Sequence, residues 1–445
     1  MRLPYKPNMR SPVIAFSILA ATVSPSLIAA APATASPNLP SVPAAGPVTG
    51  VTHNVPISAA SVPQGPGAAL GFLPIPGHNK RADDSTTAGG NARTGNTQAS
   101  NGGEIVNNGD DDTTLTNDDS NYGGYGDASV SGDAQGGNGD GRGPGGNAYT
   151  GNSGPSRGGS IFNSAGSVDN TDDSNFAGIG GTSGTGDAVG GDAARTKRAL
   201  NSKTAGGNAQ SGSSSDTSNG SVYNEAEDDG EVTNTMSSND DEEEEGAGDS
   251  YTGDATGGRG NNFGPGGNAV SGNAGPSNGG GIFSSGGSVT NTDANTATNG
   301  GTSTSGDTVG GDVARRAYDA DTAGGNSHSG SSSDVNGGDV VNEADEDGTI
   351  TNDDSSFGGN GGTTESGSAE GGNGGGKGPG GNASSGPSGN ARGGSVGNFG
   401  GSQSNTAGSN VGGTGGTSTT GDATGGNVDG SRVDAGDFAN ERRRK

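Results

Sequence analysis

The sequence predicts a chain that is mostly intrinsically disordered, built of low-complexity Gly/Asn/Ser/Asp-rich repeats with short transient β-hairpins. Three observations carry this. Glycine supplies 97 of 445 residues and there is no Cys or Trp. Leu, Ile, Val and Phe together make about 11% of the chain, below the roughly 20% at which a highly charged sequence reads as disordered. The charge is uneven as well: residues 1–81 hold no acidic side chain, and all 50 lie beyond Arg81. A chain with so few large apolar side chains cannot offset the conformational entropy lost on ordering through a conventional core. The alternative is a flat β-solenoid, in which stacked rungs share backbone hydrogen bonds and small inward residues such as Ala and Val fill the space. Clusters of Asp and Glu count against it, because stacking would bring like charges together.

In order along the chain, residues 1–35 read as a secretory signal peptide. Arg2, Lys6 and Arg10 precede the apolar run VIAFSILAATV (13–23), and small-residue cleavage sites follow. The run is too short to span a bilayer, and no later segment reads as a membrane anchor. Residues 36–81 form a Pro/Ala-rich spacer or propeptide. Three units then repeat: 82–198, 199–316, and 317–445 with its basic tail. The block TAGGN begins at Thr87, Thr204 and Thr322; GPGGNA recurs at Gly143, Gly264 and Gly378. The GGN blocks recur about every 58 residues, so each unit is two half-units, and each half-unit carries one β-type island. The first type is EIVNNGDDDTTLTND (104–118), repeated at 221–235 and 339–353. The second is SIFNSAGSVDNT (160–171), repeated at 281–292 and decayed to SVGNFGGSQSNT at 395–406. β-branched residues flanking an Asp/Gly turn predict hairpins.

Basic pairs mark the unit boundaries: Lys80-Arg81, Lys197-Arg198 and Arg315-Arg316, each followed by Ala. Arg442-Arg443-Arg444 closes the chain. Dibasic steps in open loops, downstream of a secretion signal, predict cutting by a kexin-like processing protease. This layout resembles the fungal kexin-processed repeat-containing secreted proteins, and in composition the mature part is similar to glycine/serine-rich secreted effectors of plant-pathogenic fungi. The resemblance implies a non-enzymatic secreted precursor, cleaved into three acidic polypeptides that act outside the cell or on a host as effector-type interaction proteins. Its partner would be an unidentified host or cell-surface protein, a basic one given the acidic charge. The alternative function is a hydrated structural component of a cell wall or extracellular matrix. RTKRALNSK and ERRRK also suit nuclear import inside a host cell.

No catalytic, cofactor or metal residue is assigned. The one histidine beyond the spacer, His328, stands where Gln210 and Arg93 stand in other copies. EADEDGTI (343–350) and EAEDDGEV (225–232) mimic the start of an EF-hand loop but have Asp354 and Met236 where the closing Glu belongs, so the expectation is weak calcium binding at most. Asn219 and Asn382 head glycosylation sequons. The net negative charge excludes nucleic acid as a direct partner.

Overall fold

Inward-facing residues recur in register, and that recurrence builds the structure. A computed structural model describes residues 86–141, 143–172, 174–193, 204–227, 229–235, 246–261, 264–313, 321–406 and 408–428, all within one unit, His78–Lys445. The signal, the spacer, every basic pair and the acidic run 240–245 lie outside the described residues. The described chain is a parallel β-solenoid. It contains no helix, and each half-unit forms one rung.

Five six-stranded parallel sheets run through the stack. In the first rung their strands are Ala92–Arg93, Ile105–Asn108, Thr114–Asp118, Ser129–Val130 and Ala134–Gln135. Each strand pairs with its equivalent one half-unit away. Thus Val168 lies beside Leu115 on one side and Val232 on the other, and Ile161 lies between Ile105 and Val222.

The expectation of disorder is therefore wrong, and so is the expectation of hairpins. The two strands of an island do not pair with each other. Ile161–Ala165 and Ser167–Thr171 form an arch bent at Gly166, and each arm hydrogen-bonds to neighbouring rungs instead. Among the described residues, antiparallel pairing is confined to two short contacts, Thr86–Thr87 with Asp140–Gly141 and Asp321–Thr322 with Gly375–Gly376. The error has a physical source. Counting large side chains assumes a thick core, whereas this core is thin and is filled by columns of small residues and by side-chain amides.

Each rung is a flat loop of two walls, an outgoing wall (through residue 108 in the first rung) and a return wall from 114. Paired glycines pinch the walls together at two places. At one pinch, Gly137 donates to the Gly90 carbonyl, Gly146 to Gly137, Gly191 to Gly146 and Gly207 to Gly191, alternating walls up to Gly426. The second runs from Gly103 through Gly124, Gly159 and Gly178 to Gly220, with the same alternation resuming at Gly338 and ending at Gly413. A Cβ on Gly89, Gly136, Gly145 or Gly102 would overlap a carbonyl oxygen of the opposite wall, which is why the GG doublets recur.

Between the pinches, Ala148, Ala209 and Ala269 of one wall pack on Ala134, Ala188 and Ala255 of the other. Hydroxyl pairs such as Ser153–Ser183 (2.7 Å) and Ser214–Ser250 (2.9 Å) also link the walls. In the arch lobe, Val168, Val232, Val289 and Ile350 form one aliphatic column, and Ile161, Val222 and Ile282 form another.

Beside the aliphatic columns runs a ladder of buried amides. Asn117 Nδ2 donates to Asn170 Oδ1, Asn170 to Asn234, Asn234 to Asn291, Asn291 to Asn352 and Asn352 to Asn405, at 2.7–2.9 Å. Asn170, Asn234, Asn291 and Asn352 are fully buried. Stacked amides of this kind satisfy both donor and acceptor along the axis. They are the inward Asn of the TND, TNT, DNT and SNT motifs that close each β island.

Candidate functional site

Outside the core, the sequence motifs resolve into columns of polar side chains on the solenoid surface. The Asn of each GGN block accepts a hydrogen bond from the backbone of the next rung: Asn91 from Asn147 N–H, Asn147 from Asn208, Asn208 from Asn268, Asn268 from Asn326 and Asn326 from Asn382, at 2.8–2.9 Å. Along the return wall the Asp of each GD motif does the same. Asp133 Oδ1 accepts from Asp187 N–H (3.0 Å), Asp187 from Asp254 (2.9 Å), Asp254 from Asp307 (2.8 Å) and Asp307 from Ser368 (2.7 Å).

The Asp column stacks like charges at rung spacing, and the strain falls on its middle. Partial burial raises the pKa of Asp254 above the usual carboxylate value. The amide of Asp307 opposes that shift, while the neighbouring charges of Asp187 and Asp307 add to it. The column can accept protons or face a cationic surface.

The acidic islands are kept apart differently. Asp110–Thr113, Glu227–Gly230 and Asp345–Gly348 are tight turns at the arch tip, closed by bonds from Thr113 to Asp110, Gly230 to Glu227 and Gly348 to Asp345 (2.8–2.9 Å). The intervening rungs carry glycine there: Gly166, Gly286-Gly287 and Gly400-Gly401. Acidic turns therefore alternate with glycine turns, about 9.6 Å apart along the axis rather than 4.8 Å. Glycine is sterically required in both kinds of turn: a Cβ on Gly166 would meet the Asp111 carbonyl and one on Gly400 the Ala344 carbonyl, while in the acidic turns a Cβ on Gly230 would meet the Gly166 carbonyl and one on Gly348 the Gly287 carbonyl. This alternation answers the charge objection to a solenoid.

The same geometry bears on calcium. In 343–350, Glu343 and Ala344 belong to one strand and Thr349 and Ile350 to the next, with Asp345–Gly348 as the turn. The oxygens therefore do not wrap a common centre. In 225–232, Glu225 lies on a strand and Asp229 in a turn. A shallow cleft beside Gly166 is lined by Asp111, Asp112, Glu227 and Asp229, but no group of three His, Cys, Asp or Glu side chains among the described residues is placed to hold a metal ion.

The two sequon asparagines differ. Asn219 is buried, with Oδ1 accepting from Gly180 N–H (2.7 Å) and Nδ2 donating to Thr298 Oγ1 (2.9 Å), so its amide is engaged inside the fold. Asn382 is exposed on the last rung, at the end of the outer Asn column. His328 points outward from the first sheet between Val270 and Ser384, in the same column as Arg93 and Gln210. The basic residues expected to be cut, Lys80, Arg81, Lys197, Arg198, Arg315, Arg316 and Arg442–Arg444, lie outside the described residues. The second rung is described as far as Ala193 and the third from Thr204, and the fourth as far as Val313 and the fifth from Asp321. The seams therefore fall between rungs.

The polar columns were not assigned to any position from the sequence. Their signal was the 58-residue register of GGN, GD and TND taken together. No family model, curated protein or solved structure matches the chain; the class it defines by its own geometry is a parallel β-solenoid with alternating rung types.

Proposed function

We propose that this protein is a secreted, non-enzymatic structural repeat protein of a hydrated cell wall or extracellular matrix, cut at its dibasic seams by a kexin-like protease but kept together after the cut. One observation carries the reading: the rungs on either side of each internal seam are paired along all five sheets. Across Arg198 these pairs are Ala148 with Ala209, Ile161 with Val222, Val168 with Val232, Ser183 with Ser250 and Ala188 with Ala255. Across Arg316 they include Ile282 with Val340 and Val289 with Ile350. Release of free polypeptides would require breaking all of them.

The N-terminal signal, the absence of cysteine and the outward columns of Asn, Asp, Ser and Thr fit a water-rich extracellular setting. The second reading, three diffusible effector polypeptides bound to a basic host protein, is favoured by the placement of each basic pair at a unit boundary. Fractionation of producing cells separates the two. The structural reading expects the chain, whole or nicked, in wall or matrix extracts and released only by denaturant. Separate unit-sized chains beginning at Ala82, Ala199 and Ala317, free in the medium without denaturant, would overturn it.

A further inference from the structure

The two ends of the solenoid are complementary, and we propose that the C-terminal rung docks the N-terminal rung of a second copy of this chain, head to tail. The inference rests on the end rungs alone, not on an extracellular role. Internal rungs give the rule. Ser327 N–H donates to the Asn382 carbonyl, Val340 to Ser395 and Ala369 to Asp422. By the same alternation the N–H groups of Ala383, Val396 and Ala423 point off the last rung. At the other end, Ala92 donates to Asn147, Ile105 to Ser160 and Ala134 to Asp187. The carbonyls of Asn91, Glu104 and Asp133, which occupy the equivalent positions in the first rung, face away from the second rung and have no strand partner among the described residues. Unpaired strand edges of this kind template further strand addition.

Rung type matches too. The sixth rung is of the glycine-turn type and the first of the acidic-turn type, so their joint repeats the order at the second-to-third and fourth-to-fifth joints. The turn Asp110–Thr113 of one copy would settle on Gly400-Gly401 of the other, as Glu227–Gly230 settles on Gly166. No acidic turn would meet another. The Asn column would continue from Asn382 to Asn91, and the buried amide ladder from Asn405 to Asn117. Apolar side chains are exposed at these ends: Val106 (59%) on the first rung and Phe399 (56%), Val411 and Val428 on the last. Six rungs span only about 24 Å along the axis, so the end faces are large relative to the depth of the stack. Gln403 takes the aliphatic column position filled by Val289 and Ile350 below it. The joint between copies is therefore less apolar than an internal one, and its formation depends on concentration. A heterologous joint that does not close generates a linear stack.

Sedimentation velocity over a concentration series, with negative-stain microscopy, tests this on the full chain before and after cutting by a dibasic-specific protease. The expected result is a linear series of stacks, in at least one of the two forms, that lengthen by about 29 Å per copy, six rungs of about 4.8 Å. The variant Ala383→Pro/Ala423→Pro removes two outward donors and no internal bond. It should weaken association at least about tenfold while its β-type circular dichroism and thermal midpoint hold. If that variant fails to fold, the 29 Å axial increment of the unmodified protein decides instead. A monomer at every concentration in both forms, side-by-side aggregates without that increment, or a folded proline variant that stacks undiminished would overturn the proposal.

Discussion

At the scale of single residues, stability resides in amides and carboxylates rather than large apolar groups. Asn291 sits at the centre of the buried ladder, accepting from Asn234 and donating to Asn352. Asn291→Ala removes one amide bond from each buried neighbour, and should cost about 2–3 kcal/mol in urea denaturation. The ladder also shows where it can be improved. A third amide column links Asn121 to Asn175 at 2.9 Å. At Ser356, fully buried, the column is interrupted: the Nδ2 of Asn295 has no partner, and Ser356 holds φ +69°. Asparagine tolerates that left-handed backbone better than serine and can reach Asn295. Ser356→Asn is therefore expected to stabilise the protein by about 1 kcal/mol, read by the same denaturation. Asp254 provides a pH test. Its folded pKa is raised, so the folded state binds the proton more tightly than the unfolded chain, and this group's contribution makes stability fall as pH rises through the window above the ordinary Asp value. Asp254→Asn keeps the acceptor for Asp307 N–H and removes the charge. It should raise the thermal midpoint at pH 7 by on the order of 1–2 °C, and the gain should shrink as the solution is acidified toward pH 4.

At the scale of elements, the glycine doublets decide whether two walls can approach. Gly267 lies in a pinch, and a Cβ there would fall on the Gly207 carbonyl. Gly103, in the first rung, has nothing within 4 Å of a Cβ. Gly267→Ala should therefore lose more than about 2 kcal/mol, while Gly103→Ala stays within about 0.5 kcal/mol; matched thermal melts check the contrast. This is also where the sequence was only partly legible. The 58-residue half-unit was visible from GGN alone, and each half-unit proved to be one rung. The β islands were visible from Ile161, Val168 and their repeats. What local pattern could not reveal was the partner. A strand flanking an Asp/Gly turn satisfies the hairpin rule equally whether it pairs across the turn or with a copy of itself 53–64 residues away. The choice belongs to Asn170 and Gly166, whose neighbours in the stack are distant in sequence. The polar columns of Asn147 and Asp187 were hidden for the same reason: each residue alone reads as a solvated loop, and its role exists only in register with the next copy.

For the whole molecule, cutting the backbone and separating the pieces are different events. Loops tolerate cleavage because few contacts cross them, whereas the rungs beside Arg198 and Arg316 are tied by backbone pairs in every sheet. The ties also interleave: at the pinch, Gly207 of the third rung donates to Gly191 of the second, and Gly258 of the third donates to Gly207. A piece ending at Arg198 would have to lose its side of that zipper, the Asn170–Asn234 amide bond and the Val168–Val232 contact together. Separation is therefore as cooperative as unfolding of the adjoining rungs. Limited digestion of purified protein with a dibasic-specific protease should yield several chains on a denaturing gel. The same sample should elute as one particle in native size exclusion, with a β-type circular dichroism spectrum close to that of the uncut chain. Fragments should part only at urea concentrations that melt the sheets. Elution of unit-sized species from the nicked protein in buffer alone would mean that the five ladders do not hold across the seams, and the solenoid would then be three independent pieces rather than one stack.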